Sequence, residues 1–308
     1  MDPWIAERSV DVALARRLIA AQAPGVRAER IEPLGAGWDN TAYLVDGEWV
    51  FRFPRRAFAV PLVEIECRIL PVIAPRLPLP VPVPAWPGAP SELYPWPFAG
   101  YRRLGGEPAY VAGLDRAARS AAAEPLARFL RALHDEPASE ARALGAPLDE
   151  IGRIDVAKRT GMAASNLRRA RDEGIELSEP LATALEDALG AVPADFAPEL
   201  RCLAHGDLDG RHVLVDASGR PCGVIDWGDV HAGDPAVDLA LAHGFLPAAA
   251  RERFRRAYGP IADDAWRVAR MRALASASAV LVWGHARGDR ELERGARAAL
   301  ELIAERDA

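Results

Sequence analysis

Apolar positions along this chain change their spacing in a way that separates a sheet-rich beginning from a helical remainder. Leu14, Leu18 and Ile19 recur at helical steps, which predicts an opening helix. Between residues 31 and 53, strand-like runs alternate with glycine-bearing turns, the pattern of a small antiparallel sheet. Helical spacing returns over 59–74, where Leu62, Ile65, Ile69 and Ile73 share one face. Prolines are then too dense over 75–97 for a helix or a central strand. Val81, Val83, Trp86, Leu93, Tyr94, Trp96 and Phe98 supply more apolar surface than a solvated linker needs, so edge strands with short turns are expected there. Further on, Leu126, Phe129, Leu130 and Leu133 mark one core helix and Leu181, Leu185 and Leu189 another. A final helical pair is predicted over 266–285 and 289–303, broken at Gly288.

One hairpin interrupts the helical part. Val213-Leu214-Val215 and Gly223-Val224-Ile225 flank the turn-forming run Asp216-Ala217-Ser218-Gly219-Arg220-Pro221. Antiparallel pairing then puts His212, just before the first strand, beside Asp226, just after the second. Asp207 lies five positions upstream, on the loop feeding the hairpin, in the run His205-Gly206-Asp207-Leu208-Asp209-Gly210-Arg211-His212. Two carboxylates brought together are unfavourable unless a cation or a proton separates them, so Asp207, His212 and Asp226 suggest a hard divalent ion such as Mg²⁺. With so few protein ligands, the shell is completed by water and substrate phosphates.

A second feature lies in the sheet-rich part. Leu34-Gly35-Ala36-Gly37-Trp38-Asp39-Asn40-Thr41 is a glycine-rich turn between strands, and glycines at 35 and 37 allow backbone to approach phosphates closely. Asn40 is suited to positive φ where a third glycine would otherwise serve. Alone such a turn is also what an ordinary hairpin uses. On the next strand Arg52 stands between Phe51 and Phe53, where a kinase-type site carries a lysine that holds nucleotide phosphates in partnership with a helix glutamate. The chain has a single lysine, Lys158, far off in the helical part, so Arg52 is the natural occupant of that role. Glu66 is its expected partner, with Glu64 as the other candidate. Asp234-Pro235 reads as a helix start with Asp234 at the cap, and Asp229 and Asp238 are candidates to brace the catalytic loop. His205 is expected to orient that loop by hydrogen bonding and not to act as a base.

Composition narrows the class. An apolar share of 50% with 27% charged residues is that of a globular protein, and a net charge of −6 disfavours nucleic acid as a partner. The N-terminal residues have no leader pattern and no stretch has the length of a membrane span, so a cytoplasmic protein without a membrane partner is expected. Cys67, Cys202 and Cys222 are odd in number and widely spaced, which points to buried thiols. No Gly-x-Ser-x-Gly elbow and no Gly-Lys-Ser or Gly-Lys-Thr run is present, which excludes the usual serine-hydrolase and Walker-type sites.

Taken together, His205-Gly206-Asp207, Ile225-Asp226-Trp227-Gly228-Asp229 and Gly233-Asp234-Pro235-Ala236 resemble the aminoglycoside phosphotransferase family, over nearly the whole chain. The resemblance implies an α+β, bilobal protein-kinase-like fold: a small N-terminal antiparallel sheet lobe with hinge over 1–103 and a larger helical lobe over 104–308. It further implies that Asp207 orients the acceptor hydroxyl and receives its proton. Asp226 holds Mg²⁺ against the nucleotide phosphates, with position 212 as second metal residue. Gly35, Gly37, Asn40, Thr41, Arg52 and Glu66 hold the nucleotide, and backbone near Arg103 and Leu104 reads the purine. The family usually has asparagine at position 212. Histidine there is similar to macrolide phosphotransferases and to 2″-aminoglycoside phosphotransferases, several of which accept or prefer GTP.

The expected activity is transfer of the γ-phosphate of ATP or GTP to a hydroxyl of an aminoglycoside or macrolide antibiotic. A metabolic kinase of the same fold, acting on a sugar, choline or homoserine, and a nucleotide-binding pseudokinase are the alternatives. Trp227, Trp266 and Trp283 with Asp263, Asp264, Glu291 and Glu293 are candidates to line the acceptor site. An acidic rim would suit an aminoglycoside and an apolar one a macrolide.

Overall fold

A computed structural model of the chain describes residues 6–36 and 39–307. It divides into two compact units. The first comprises the residues up to Arg76, then Pro80–Leu104 and Asp226–Val230. Helix α1 (Val12–Gln22) is capped by Asp11, whose carboxylate accepts from Leu14 N at 2.7 Å. Strands β1 (Ile31–Ala36), β2 (Asn40–Val45) and β3 (Trp49–Pro54) follow, then helix α2 (Val60–Ile73) and strands β4 (Pro84–Gly88) and β5 (Phe98–Arg102). They form one antiparallel sheet in the order β1-β2-β3-β5-β4.

Local chemistry explains this sheet. Asp46 and Gly47, at φ 51° and 73°, supply the two left-handed residues that a tight β2–β3 hairpin needs. The proline-rich β4 takes an edge, where Pro84 and Pro87 are spared donating to a second neighbour. The rest of 75–97 is mostly irregular, so the expected edge strands reduce to one. Phe51, Phe53, Tyr94 and Phe98 fill the core with α1. Gly100 pairs with Phe51 across β3 and β5, and any side chain there would collide with the Phe51 ring.

The second unit comprises Leu77–Leu79, Gly105–Ile225 and the residues from His231 on. Its helices are α3 (Arg116–Ala121), α4 (Ala123–His134), α5 (Ala138–Ala143), α6 (Val156–Asp172), α7 (Glu179–Gly190), α8 (Ala236–Phe245), α9 (Ala248–Tyr258), α10 (Asp263–Arg287) and α11 (Arg290–Ala304). Short strands β6 (Glu107–Pro108), β8 (Val213–Val215) and β9 (Pro221–Val224) make one sheet, and β7 (Cys202–Ala204) pairs with β10 (His231–Gly233). The hairpin predicted between the two β-branched runs is β8–β9, with β6 on its outer side.

The long α10 is central to the packing: Val268, Met271, Leu274 and Leu281 are buried in a core shared with α6, α8 and α11. Gly288, left-handed at φ 66°, ends it, and Asp289 caps α11 through Leu292 N. Helix α8 opens one residue later than expected, with Pro235 and not Asp234 in the cap position. Asp234 still serves the turn, because its Oδ1 accepts from Ala236 N at 2.8 Å while Oδ2 accepts from Glu199 N at 2.9 Å. Among the described residues no helix is long and apolar enough to cross a membrane.

Candidate active site

In the helical unit the functional residues gather on the loop between β7 and β8. Asp238 on α8 is completely buried and holds that loop: its Oδ2 accepts from His205 N at 2.7 Å and its Oδ1 from Gly206 N at 2.9 Å. His134 Nε2–H donates a third bond to Asp238 at 3.1 Å, and Tyr258 donates its hydroxyl proton to His134 Nδ1 at 2.8 Å. Burial alone would raise the Asp238 pKa, but the His134 bond, the neighbouring histidines and the backbone donors outweigh it and bring it down to about 2. Asp238 therefore stays ionised, and a buried anion fixes the backbone of the loop.

The ring of His205 finishes the job. Its Nε2–H donates to Ile225 O at 3.0 Å and its Nδ1 accepts from Asp207 N at 3.3 Å, while burial lowers its pKa. Both imidazole nitrogens are used in orienting backbone. It is no base.

Asp207 itself is partly exposed, at 29%, between two guanidinium groups. Arg272 Nη2 reaches its Oδ1 at 3.3 Å and also Gly206 O at 3.2 Å, and Arg211 Nη2 reaches its Oδ2 at 3.3 Å. Burial pushes the Asp207 pKa up, but Arg211, His212 and Arg272 pull harder, so it ends well below the usual carboxylate range. His212 Nδ1–H donates to Asp207 O at 2.6 Å, and His212 O accepts from Ile225 N at 2.9 Å, which sets residue 212 opposite the end of the hairpin. His205 and His212 stack with centroids 6.1 Å apart.

In the sheet unit a second polar cluster surrounds Arg52. Its Nη1 donates to both oxygens of Glu66 at 3.1 Å, its Nη2 donates to Asp226 Oδ1 at 2.7 Å, and Tyr101 OH donates to Glu66 Oε2 at 2.8 Å. Glu66 is fully buried, whereas Asp226 is 46% exposed. Burial opposes the charge on Arg52, yet Glu66 and Asp226 more than offset it and the group stays ionised. For Glu66, burial dominates and the net shift is upward. Asp226 holds φ 64° and ψ 66°, a left-handed conformation that aspartate tolerates and that stores strain beside a functional group.

The structure thus brings Asp207 together with His212, and Arg52 with Glu66 and Asp226. Of the two glutamates weighed as partners of Arg52, Glu64 is exposed. Gly35 sits at a bulge in β1 with φ 141°, and Thr41 pairs with Phe53. Gly37 lies outside the described residues. Asn40 departs from expectation: it is not left-handed but extended, the first residue of β2 paired with Pro54, because the ladder with β3 takes it up. Arg103 follows β5 and donates its N–H to Glu48 O at 2.7 Å, and Leu104 ends that stretch of the unit.

Three contributors were given no role from the sequence. Arg211 was legible as a cation four residues from Asp207. Tyr101 and Arg272 were not, since nothing near them in the chain marks their partners.

An open cavity adjoins Asp207 within the helical unit, walled by α8, α10 and α11. None of the tryptophans and acids proposed from sequence lines it. Trp227 and Trp266 are buried, and Asp263, Asp264 and Glu293 pair with Arg255, Arg267 and Arg297. Among the described residues no group of three or more His, Cys, Asp or Glu side chains forms a cage for a metal.

A small antiparallel sheet unit joined to a helical unit that carries this loop is the α+β protein-kinase-like fold of the phosphotransferases. Residues 30–274 match the APH family, described as the phosphotransferase enzyme family, and the chain belongs to it. A GDP complex of wild-type aminoglycoside 2'-phosphotransferase-IIIa is similar over 96% of this chain and 98% of that one, at 23% identity and a TM-score of 0.67. Macrolide 2'-phosphotransferase MphH from Brachybacterium faecium, an apoenzyme, is 26% identical over 94% of this chain and 97% of that one, with a TM-score of 0.60. An uncharacterized protein of Bacillus subtilis (strain 168), YcbJ, is 28% identical over 203 residues, 63% of this chain. This chain spans 61% of that relative's length.

Proposed function

We propose that this phosphotransferase is a small-molecule kinase that moves the γ-phosphate of ATP or GTP to a hydroxyl of an antibiotic-like acceptor, an aminoglycoside or a macrolide. The observation that carries the reading is the Asp207 carboxylate, partly open to solvent and held in place by Arg211, Arg272 and an Asp238-anchored backbone.

An aspartate held so far below its usual range is a weak base. Its part is to orient the acceptor hydroxyl through a hydrogen bond and to take the proton only as the new bond to phosphorus forms. That suits a loose transition state, in which positioning and charge neutralisation supply most of the acceleration. Arg52, fixed by buried Glu66, is the group for the nucleotide phosphates, and its planar fork grips two phosphate oxygens where a lysine would present a point charge. A nucleotide donor is supported by the bound GDP of the aminoglycoside relative.

Asp226 offers the hard carboxylate oxygen that Mg²⁺ takes, and a site with so few protein ligands would be completed by water and phosphates. His212 donates its Nδ1 proton to Asp207 O, and an imidazole nitrogen is a poorer Mg²⁺ ligand than oxygen. Bound there, Mg²⁺ would neutralise charge on the transferring phosphates.

The test is coupled NDP release with ATP and with GTP against aminoglycosides, macrolides and common metabolites, in the native chain and in Asp207→Ala. Turnover on an antibiotic that Asp207→Ala lowers by about 10² or more supports the proposal. Response to metabolites alone removes the antibiotic-like acceptor and leaves a metabolic kinase, and nucleotide binding with no turnover on any acceptor makes the chain a pseudokinase.

A further inference from the structure

The cavity beside Asp207 is unlike a site for a polycation. Its walls are small and apolar, with Val237 and Leu241 from α8, Ala273 and Ala277 from α10, and Leu292 and Ala296 from α11. Only five lining residues are charged: Arg119, Arg211, Arg272, Asp207 and Asp209, three cations against two anions. Both anions are already matched. Asp207 is held by Arg272 and Arg211 at 3.3 Å each, and Asp209 takes Arg211 Nη2 at 2.7 Å and Nε at 2.9 Å on one oxygen.

The remaining cation tips the balance further. Arg119 donates to the carbonyl oxygens of Leu114 and Phe245, both at 3.3 Å, and lies 5.0 Å from the Phe245 ring centroid. None of its partners among the described residues is a carboxylate. An ammonium group entering this cavity would lose water against apolar walls and find no counter-ion that is not already engaged. An apolar body would instead gain by covering Val237, Leu241 and Leu292.

We infer that the acceptor is a largely apolar hydroxyl compound, and that the cavity discriminates against polycationic amino sugars. The inference rests on the kinase reading above and narrows its acceptor.

The experiment uses the full chain with two probes, an uncharged polyhydroxylated macrolactone and kanamycin. Equilibrium dialysis reads binding to the cavity, and NDP release reads transfer. The macrolactone should bind, and its kcat/KM should exceed that of kanamycin by about a hundredfold, the penalty for an unpaired charge in an apolar site. Ser276→Asp, on the half-buried part of the α10 wall, should lower macrolactone binding about tenfold and raise that of kanamycin. Ala299→Trp, on the α11 wall, takes up cavity space without adding charge and should weaken macrolactone binding alike, which keeps the test open if Ser276→Asp does not fold. Preference for kanamycin, or a macrolactone that neither binds nor is phosphorylated, overturns the inference and leaves phosphotransfer standing. Binding of the macrolactone without NDP release on any compound upholds the cavity's selectivity and defeats the kinase reading.

Discussion

Replacing Arg52 by methionine tests the buried cluster of the sheet unit most directly. Methionine keeps much of the apolar stem but removes two bonds at 3.1 Å to Glu66 and one at 2.7 Å to Asp226. The Asp226 pair, half open to water, contributes little by itself, about 1 kcal/mol or less. Glu66 is different, because a fully buried carboxylate would be left with the Tyr101 hydroxyl as its only donor from this cluster. Breaking a buried pair by removing one partner costs about 3–5 kcal/mol, and that is the expected loss in Arg52→Met. The cost has a pH signature. Burial already raises the Glu66 pKa above its ordinary 4.5, and loss of Arg52 raises it further, so the folded variant holds a proton that the unfolded chain releases. The penalty is therefore absent below the unfolded value, grows as pH rises, and is complete once pH exceeds the folded pKa. Urea unfolding at pH 5 and pH 8 should show Arg52→Met closer to the native protein at the lower pH. Adding Glu66→Gln removes the stranded charge and should bring stability at pH 8 back to within about 1–2 kcal/mol of native. A loss equal at both pH values, or no recovery in the double variant, would refute the reasoning.

Asp238→Ala strips acceptors from His205 N, Gly206 N and His134, so unfolding free energy should fall by about 2–5 kcal/mol in denaturant titration. In the native protein the same carboxylate, at about 2 when folded and 3.8 when unfolded, contributes stability that is present above pH 4 and lost as pH falls toward 2. Acid titration followed by circular dichroism should show a shallower acid loss in Asp238→Asn than in the native chain. At Asp226, φ 64° makes alanine worse than glycine, and calorimetry should rank Asp226→Gly above Asp226→Ala by about 1–2 kcal/mol while both lose transfer. With no protein cage for a metal among the described residues, EDTA should leave the Tm of the nucleotide-free protein unchanged while stopping NDP release.

Much of this molecule is legible one segment at a time. The steps of three and four in Leu62, Ile65, Ile69 and Ile73 mark α2, the β-branched runs around Asp216–Pro221 mark β8 and β9, and Gly288 marks the break between α10 and α11. The His-Gly-Asp run and the rest of the family signature are legible because their residues lie close together in the chain. Asn40 shows where local reasoning fails: a residue able to turn the chain was drawn into a strand by its pairing with Pro54.

Sequence alone determined the fold class and the family, since periodicity, turn composition and short motifs act over a few residues. Tertiary structure alone decided that Glu66 and not Glu64 meets Arg52, that Arg272 reaches across 65 positions to Asp207, and that the acids expected at the acceptor site pair with arginines elsewhere. Those outcomes depend on which helix faces are buried against which neighbours, a property of packing that no single segment contains.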